Sequence, residues 1–72
     1  MEWIELVARE YSWRYALPWA PIVDAWRAAA RRTKSGRPAL ARLKLPKPYD
    51  LVALAQCEAD VRDRLRAEDA RL

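Results

Sequence analysis

The prolines constrain this 72-residue chain before any other feature does, and there are five of them. Proline has no backbone N–H and locks φ, so a helix interior excludes it. It also pushes the preceding residue out of helical geometry. In "LPWAP" Pro18 therefore ends one helix at or before Leu17, and Pro21 fits only in the first turn of the next, where its missing donor is not needed. In "PKPY" Pro46 and Pro48 stop whatever helix Pro38 has started. Three stretches remain long enough for stable helices, about 2–16, 20–33 and 50–70, with 34–49 as a connector. The expectation is a single all-α domain over 1–72, a small bundle of about three helices joined by a basic, proline-containing connector.

Apolar spacing supports each stretch. In the first, Ile4, Val7, Ala8, Tyr11 and Tyr15 recur at helical intervals, with Trp3 and Leu6 widening the face. Glu2 and Glu5 suit the positive end of its dipole, and Ser12 marks a weak point where a break is possible. The second carries Trp19, Ile22, Val23, Trp26, Ala29 and Ala30 inward, with Arg27, Arg31 and Arg32 toward its negative end and Gly36 as the expected terminator. "PALARLKL" reads as a short helix with Leu40 and Leu43 inward. Asp50 is a good N-cap for the third helix, whose stripe runs Leu51, Leu54, Cys57 or Glu58, Val61, Leu65 and Leu72. Glu58 with Arg62, and Asp60 with Arg64, are four-residue pairs on its solvated side. This stripe can pack on its own domain or serve as a seam for a second copy or another partner.

A chain this short buries only about 60% of the surface its unfolded form exposes, so outside support is expected. Disulfides within one chain are excluded, because Cys57 is the only cysteine, and it reads as a small buried hydrophobe. There is no histidine, which removes imidazole metal sites and proton shuttles near neutral pH. The single glycine, Gly36, rules out a glycine-rich phosphate loop, and the carboxylates are interleaved with arginines rather than paired. No catalytic, cofactor or metal residue stands out, and a non-enzymatic role is expected. No stretch approaches the about 20 apolar residues a membrane span needs. "MEWIELVARE" opens with acid rather than base and so does not read as a secretory signal. A lone thiol suits a reducing compartment, so a cytoplasmic location is expected.

The net charge of +4 conceals a pattern. Residues 25–49 hold eight cations and no acid, from Arg27, Arg31, Arg32, Lys34 and Arg37 through Arg42, Lys44 and Lys47, whereas the flanking segments are each −2. Residues 27–47 could neutralise phosphates of a nucleic acid, pair with an acidic protein or a sister subunit, or simply be solvated. The absence of Asn and the single Gln leave little with which to read base edges. Four tryptophans exceed what so small a core can enclose. Trp3, Trp19 and Trp26 fit core positions, whereas Trp13 lies opposite Tyr11 and Tyr15 and is the candidate exposed anchor, since Trp is enriched at interface hot spots. A membrane-surface helix would want Lys and Arg on its polar face, and this one is acidic. The candidate partner-binding residues are Trp13, Trp19, Trp26, Arg27, Arg31, Arg32, Lys34 and Arg37.

"VAREYSWRYALPWAPIVDAW", residues 7–26, resembles small tail assembly chaperones of long-tailed bacteriophages. In that family a helix ends in an aromatic–glycine–tryptophan step, and a spacer, a Leu-Pro-aromatic step and an Ala- and Leu-rich helix follow. Tyr11, Ser12 and Trp13 take the first step, with serine where glycine is usual, and Leu17, Pro18 and Trp19 take the second. The resemblance implies a non-enzymatic helical assembly factor whose partner is a tape measure protein or a tail tube subunit. A small nucleic-acid-binding regulator and an inhibitor docking on a host enzyme are the alternative classes.

Overall fold

In the computed structural model, which describes residues 2–70, the chain forms three helices: α1 (Trp3–Tyr15), α2 (Ala20–Arg32) and α3 (Leu51–Ala70). A short 3-10 turn, Leu40–Arg42, interrupts the connector, and no strand is present among the described residues. The expected all-α architecture is thus observed. Helix α1 is the shared element, packing on both α2 and α3, while the 3-10 turn packs on α3.

Local chemistry explains each boundary. Ser12 does not break α1; its carbonyl instead accepts the Ala16 N–H at 2.9 Å. Ala16 then turns the chain left-handed at φ 54°, which ends the helix. That conformation costs an L-residue roughly 1–2 kcal/mol, so the packing on either side must hold it. Pro21 lies in the first turn of α2, where no N–H is required of it. The end of α2 departs from expectation. Thr33 becomes extended at φ −104°, and its hydroxyl donates to the Ala29 carbonyl at 2.9 Å, so the helix stops at Arg32. Gly36, at φ 69°, serves instead in the turn that follows, its N–H donating to the Thr33 carbonyl at 3.0 Å. Asp50 caps α3 as expected: its Oδ1 accepts from the Val52 N–H at 2.8 Å and the Ala53 N–H at 3.3 Å.

The core joins Ile4, Val7, Ala8 and Tyr11 of α1, Ile22 and Val23 of α2, Leu40 and Leu43 of the connector, and Leu54, Cys57 and Val61 of α3. Burying each large apolar side chain contributes roughly 1.5–3 kcal/mol. Tyr11 sits at the junction of the elements. Its ring lies 4.7 Å from that of Tyr15 and 5.8 Å from that of Tyr49, centroid to centroid. Its hydroxyl accepts the Asp50 N–H at 2.9 Å, which fixes the start of α3 against the middle of α1. Tyr49 in turn donates its hydroxyl proton to the Pro18 carbonyl at 2.6 Å, so the two proline segments are tied to each other.

Several stripe positions lie farther out than their spacing predicts. Tyr15 and Trp19 are exposed because the left-handed turn at Ala16 separates the end of α1 from the start of α2, leaving both at the rim. Leu65 is exposed because the last buried residue of α3 is Val61. Residues 62–69 are exposed, and Leu72 is outside the described residues. The radius of gyration is 12.4 Å, slightly above the roughly 11 Å of a compact chain this long.

An ion network closes the α1–α3 edge. Glu10, whose side chain is only 14% exposed, takes Arg14 at 2.9 Å and Arg64 at 2.9 Å on its two oxygens. Arg14 also reaches Asp60 at 2.7 Å, and Asp60 accepts from Gln56 at 3.1 Å. Asp60 therefore pairs across the helices rather than with Arg64 four residues on, whereas Glu58 and Arg62 do pair within α3 at 3.7 Å. The Arg64 hydrogen bond holds the Glu10 carboxyl below its ordinary pKa against the opposing effect of burial, and the Arg14 hydrogen bond lowers that of Asp60.

Two outcomes are expected. Tyr11→Phe removes the acceptor for the Asp50 N–H and should cost about 1–2 kcal/mol, a fall of about 5–15 °C in the thermal midpoint by circular dichroism. Tyr49→Phe, at a solvent-open bond, should cost less; equal losses would remove Tyr11 from the junction role. Glu10 and Asp60 release protons more readily folded than unfolded, so as pH falls the unfolded state binds protons first. Their stabilisation is complete above the ordinary carboxylate range of about 4 and disappears as pH drops through and below it. Glu10→Gln should lower the midpoint at neutral pH and converge with the parent in strong acid; a gap unchanged by pH would contradict the network.

Candidate partner-binding surfaces

The residues singled out in the sequence fall on two separate surfaces. The first is the outer face of α1. At about 100° per residue, Trp13 lies about 200° around the helix from buried Tyr11. Its side chain accordingly points away from the core and is 84% exposed. Trp19, at the start of α2 and 36% exposed, lies beneath the Arg9 guanidinium, 4.9 Å from ring centroid to carbon. Arg9 precedes Trp13 by one helical turn, so an indole, a guanidinium and a second indole share this side of the molecule. A cation over an indole face holds both side chains in place while leaving the free ring surface available.

The second surface consists of two adjoining grooves that share Arg37 and Pro38. One, of about 660 Å³, is lined by the half-buried indoles of Trp3 and Trp26, with Glu2, Arg37, Glu58 and Arg62 around them. It forms where the start of α1, the middle of α2, the connector and the middle of α3 meet. The other, of about 590 Å³, is edged by Arg32, Arg37, Arg42 and Lys44. Its floor is apolar and small, with Ala25, Ala28 and Ala29 presented by successive turns of α2. None of these four cations pairs with an acid among the described residues.

Sequence expectation and structure match unevenly here. Trp26 and Arg37 come together in the first groove, and Arg32 and Arg37 in the second. Arg31 and Lys34 are exposed outside both. Arg27 is engaged by Glu2 at 3.3 Å and Glu5 at 3.6 Å, which clips α2 to the first turn of α1. Trp3 and Arg62 join the aromatic groove although the sequence marks neither as a site; they come from opposite ends of the chain, and no local spacing connects them. Arg42 and Lys44 were legible only as members of the cationic stretch.

No family model matches the chain, and no curated protein or solved structure is significantly similar to it. Chemical function must therefore be read from the side chains themselves. Among the described residues no group of three or more Cys, Asp and Glu is arranged to hold a metal ion. The Cys57 thiol is buried, and that burial pushes its pKa up, so it is protonated at neutral pH and sealed from solvent. Among the described residues no helix is long and apolar enough to cross a membrane. The exposed chemistry consists of two indoles and an arginine on one side, and two indoles beside a cationic groove on the other.

Proposed function

We propose that the chain is a non-enzymatic interaction factor that binds a helical protein partner, and that it serves as a chaperone or small assembly factor in bacteriophage tail assembly, in the cytoplasm of the host. The observation that carries the interaction reading is Trp13, a large rigid apolar side chain aimed directly away from the core. An indole left in water gives up stabilisation that burial would supply, and this one has Trp19 and Arg9 beside it as a ready surround. An amphipathic helix laid across such a face would bury these rings at little conformational cost. The tail assembly context rests on the resemblance of residues 7–26, whose two aromatic steps flank the α1–α2 junction and supply both Trp13 and Trp19.

The unopposed cations around the second groove favour a second reading, a small nucleic-acid-binding protein that meets phosphates through residues 27–47.

The test of the first reading is co-expression with the tape measure protein and with the tail tube subunit encoded in the same genome. A stable complex is expected with one of them. Trp13→Ala should leave the circular-dichroism melt unchanged, because the ring supports nothing in the fold, yet weaken the complex about thirtyfold, as for a hot-spot residue. Failure of the parent chain to bind either protein, or an undiminished complex with the variant, would refute the proposal.

A further inference from the structure

The two grooves that meet at Arg37 and Pro38 differ in charge, and the difference specifies an occupant. At the aromatic end the charges balance. Glu2 and Glu58 face Arg37 and Arg62, and the two carboxylates are already engaged, Glu2 by Arg27 and Glu58 by Arg62. At the other end the lining adds Arg32, Arg42 and Lys44 to the shared Arg37 around an alanine floor, contributes no acid, and none of these cations holds an ion pair among the described residues. We infer that the two adjoining grooves together form a trough that takes an acidic protein segment, with an apolar or aromatic side chain seated against Trp3 and Trp26 and carboxylates lying over Arg32, Arg37, Arg42 and Lys44. This inference deepens the interaction reading and rests on it: it gives the chain's partner a chemical character and assigns a second surface distinct from Trp13.

Charge complementarity requires an anionic occupant, and the rest of the trough selects protein over nucleic acid. A phosphodiester backbone carries uniform charge, so it would gain at the cationic end and gain nothing electrostatically along the charge-balanced aromatic end. A polypeptide can confine its carboxylates to one end and place an anchor at the other. The floor points the same way. Ala25, Ala28 and Ala29 present methyl groups and let another backbone approach closely, which rewards an amphipathic chain and gives a sugar–phosphate strand nothing to pair with. Arginines dominate the rim, and their planar forks grip anionic oxygens, carboxylate and phosphate alike, in bidentate fashion, so the choice between the two rests on the charge pattern and the floor.

Titration of the isotopically labelled full chain with a short amphipathic peptide tests this directly. The peptide carries tryptophan and leucine at one end and glutamates along the rest. The protein has four indole N–H resonances, one per tryptophan. Those of Trp3 and Trp26 should shift saturably, and that of Trp13 should not. A peptide with glutamine in place of glutamate should bind about tenfold more weakly, as should one with alanine in place of the anchors. The doubly substituted Arg32→Ala, Arg42→Ala chain should lose affinity to a similar degree without a change in melting, since neither side chain holds a described ion pair. Three results would each overturn the assignment: no saturable shift, a response confined to Trp13 and Trp19, or tighter binding of unrelated duplex DNA at equal salt that the double substitution abolishes. Because Trp13→Ala should leave this peptide binding intact, loss of the trough and loss of the Trp13-dependent complex are separate outcomes.

Discussion

A single phenol holds this molecule together. Tyr11 is at once the largest buried side chain of α1, the stacking partner of Tyr49 from the connector, and the acceptor for the backbone N–H of Asp50. A buried hydroxyl must find a partner, and here the partner is the residue whose carboxylate caps α3. The start of α3 is therefore set by α1 rather than by the connector between them. Tyr49 then carries the linkage outward to the Pro18 carbonyl. Two proline-rich segments that would otherwise be independent become one belt across the bundle, and the positions of α2 and α3 relative to α1 follow from it.

With the interior organised around α1, the remaining apolar chemistry is displaced outward in a particular way. The core consists almost entirely of aliphatic residues and one tyrosine, and none of the four tryptophans is fully buried. Trp3 and Trp26 wall a groove, Trp19 is held under Arg9, and Trp13 stands free. A bundle of this size has too little volume for four indoles, so its most adhesive side chains lie at the surface. Charge is sorted by the same geometry. Acids and arginines that meet across α1 and α3, or across α1 and α2, neutralise each other, and the connector and the end of α2 keep their surplus positive charge.

Much of this was legible in the sequence because it is local. Proline stereochemistry bounded α1 and α2, the capping carboxylate of Asp50 marked α3, and Leu40 and Leu43 proved to be the inward residues of the connector. The opposition of Trp13 to Tyr11 is likewise a matter of helical angle alone. What was not legible depends on neighbours distant in the chain. Asp60 has Arg64 one turn on, but it pairs with Arg14 from α1 at 2.7 Å while Arg64 pairs with Glu10. Trp19 has the spacing of the α2 stripe, yet it is the residue before the first turn, and the left-handed step at Ala16 carries it to the rim. Gly36 is the obvious terminator, but a threonine three residues earlier satisfies the helix end with its own hydroxyl. The trough is the extreme case: Trp3, Trp26, Arg37 and Arg62 belong to four elements, and only the assembled bundle makes them adjacent.

The outer end of α3 has its own consequence. Residues 62–69 are all exposed, Leu65 included, and this stretch of helix is supported by propensity and by the tethers from Arg62 to Glu58 and from Arg64 to Glu10. Both guanidinium groups stand largely in solvent, where mobile ions screen them, whereas the aliphatic interior is indifferent to screening. Ionic strength consequently bears more on this end of the molecule than on its interior, because electrolyte weakens both tethers and leaves apolar burial untouched.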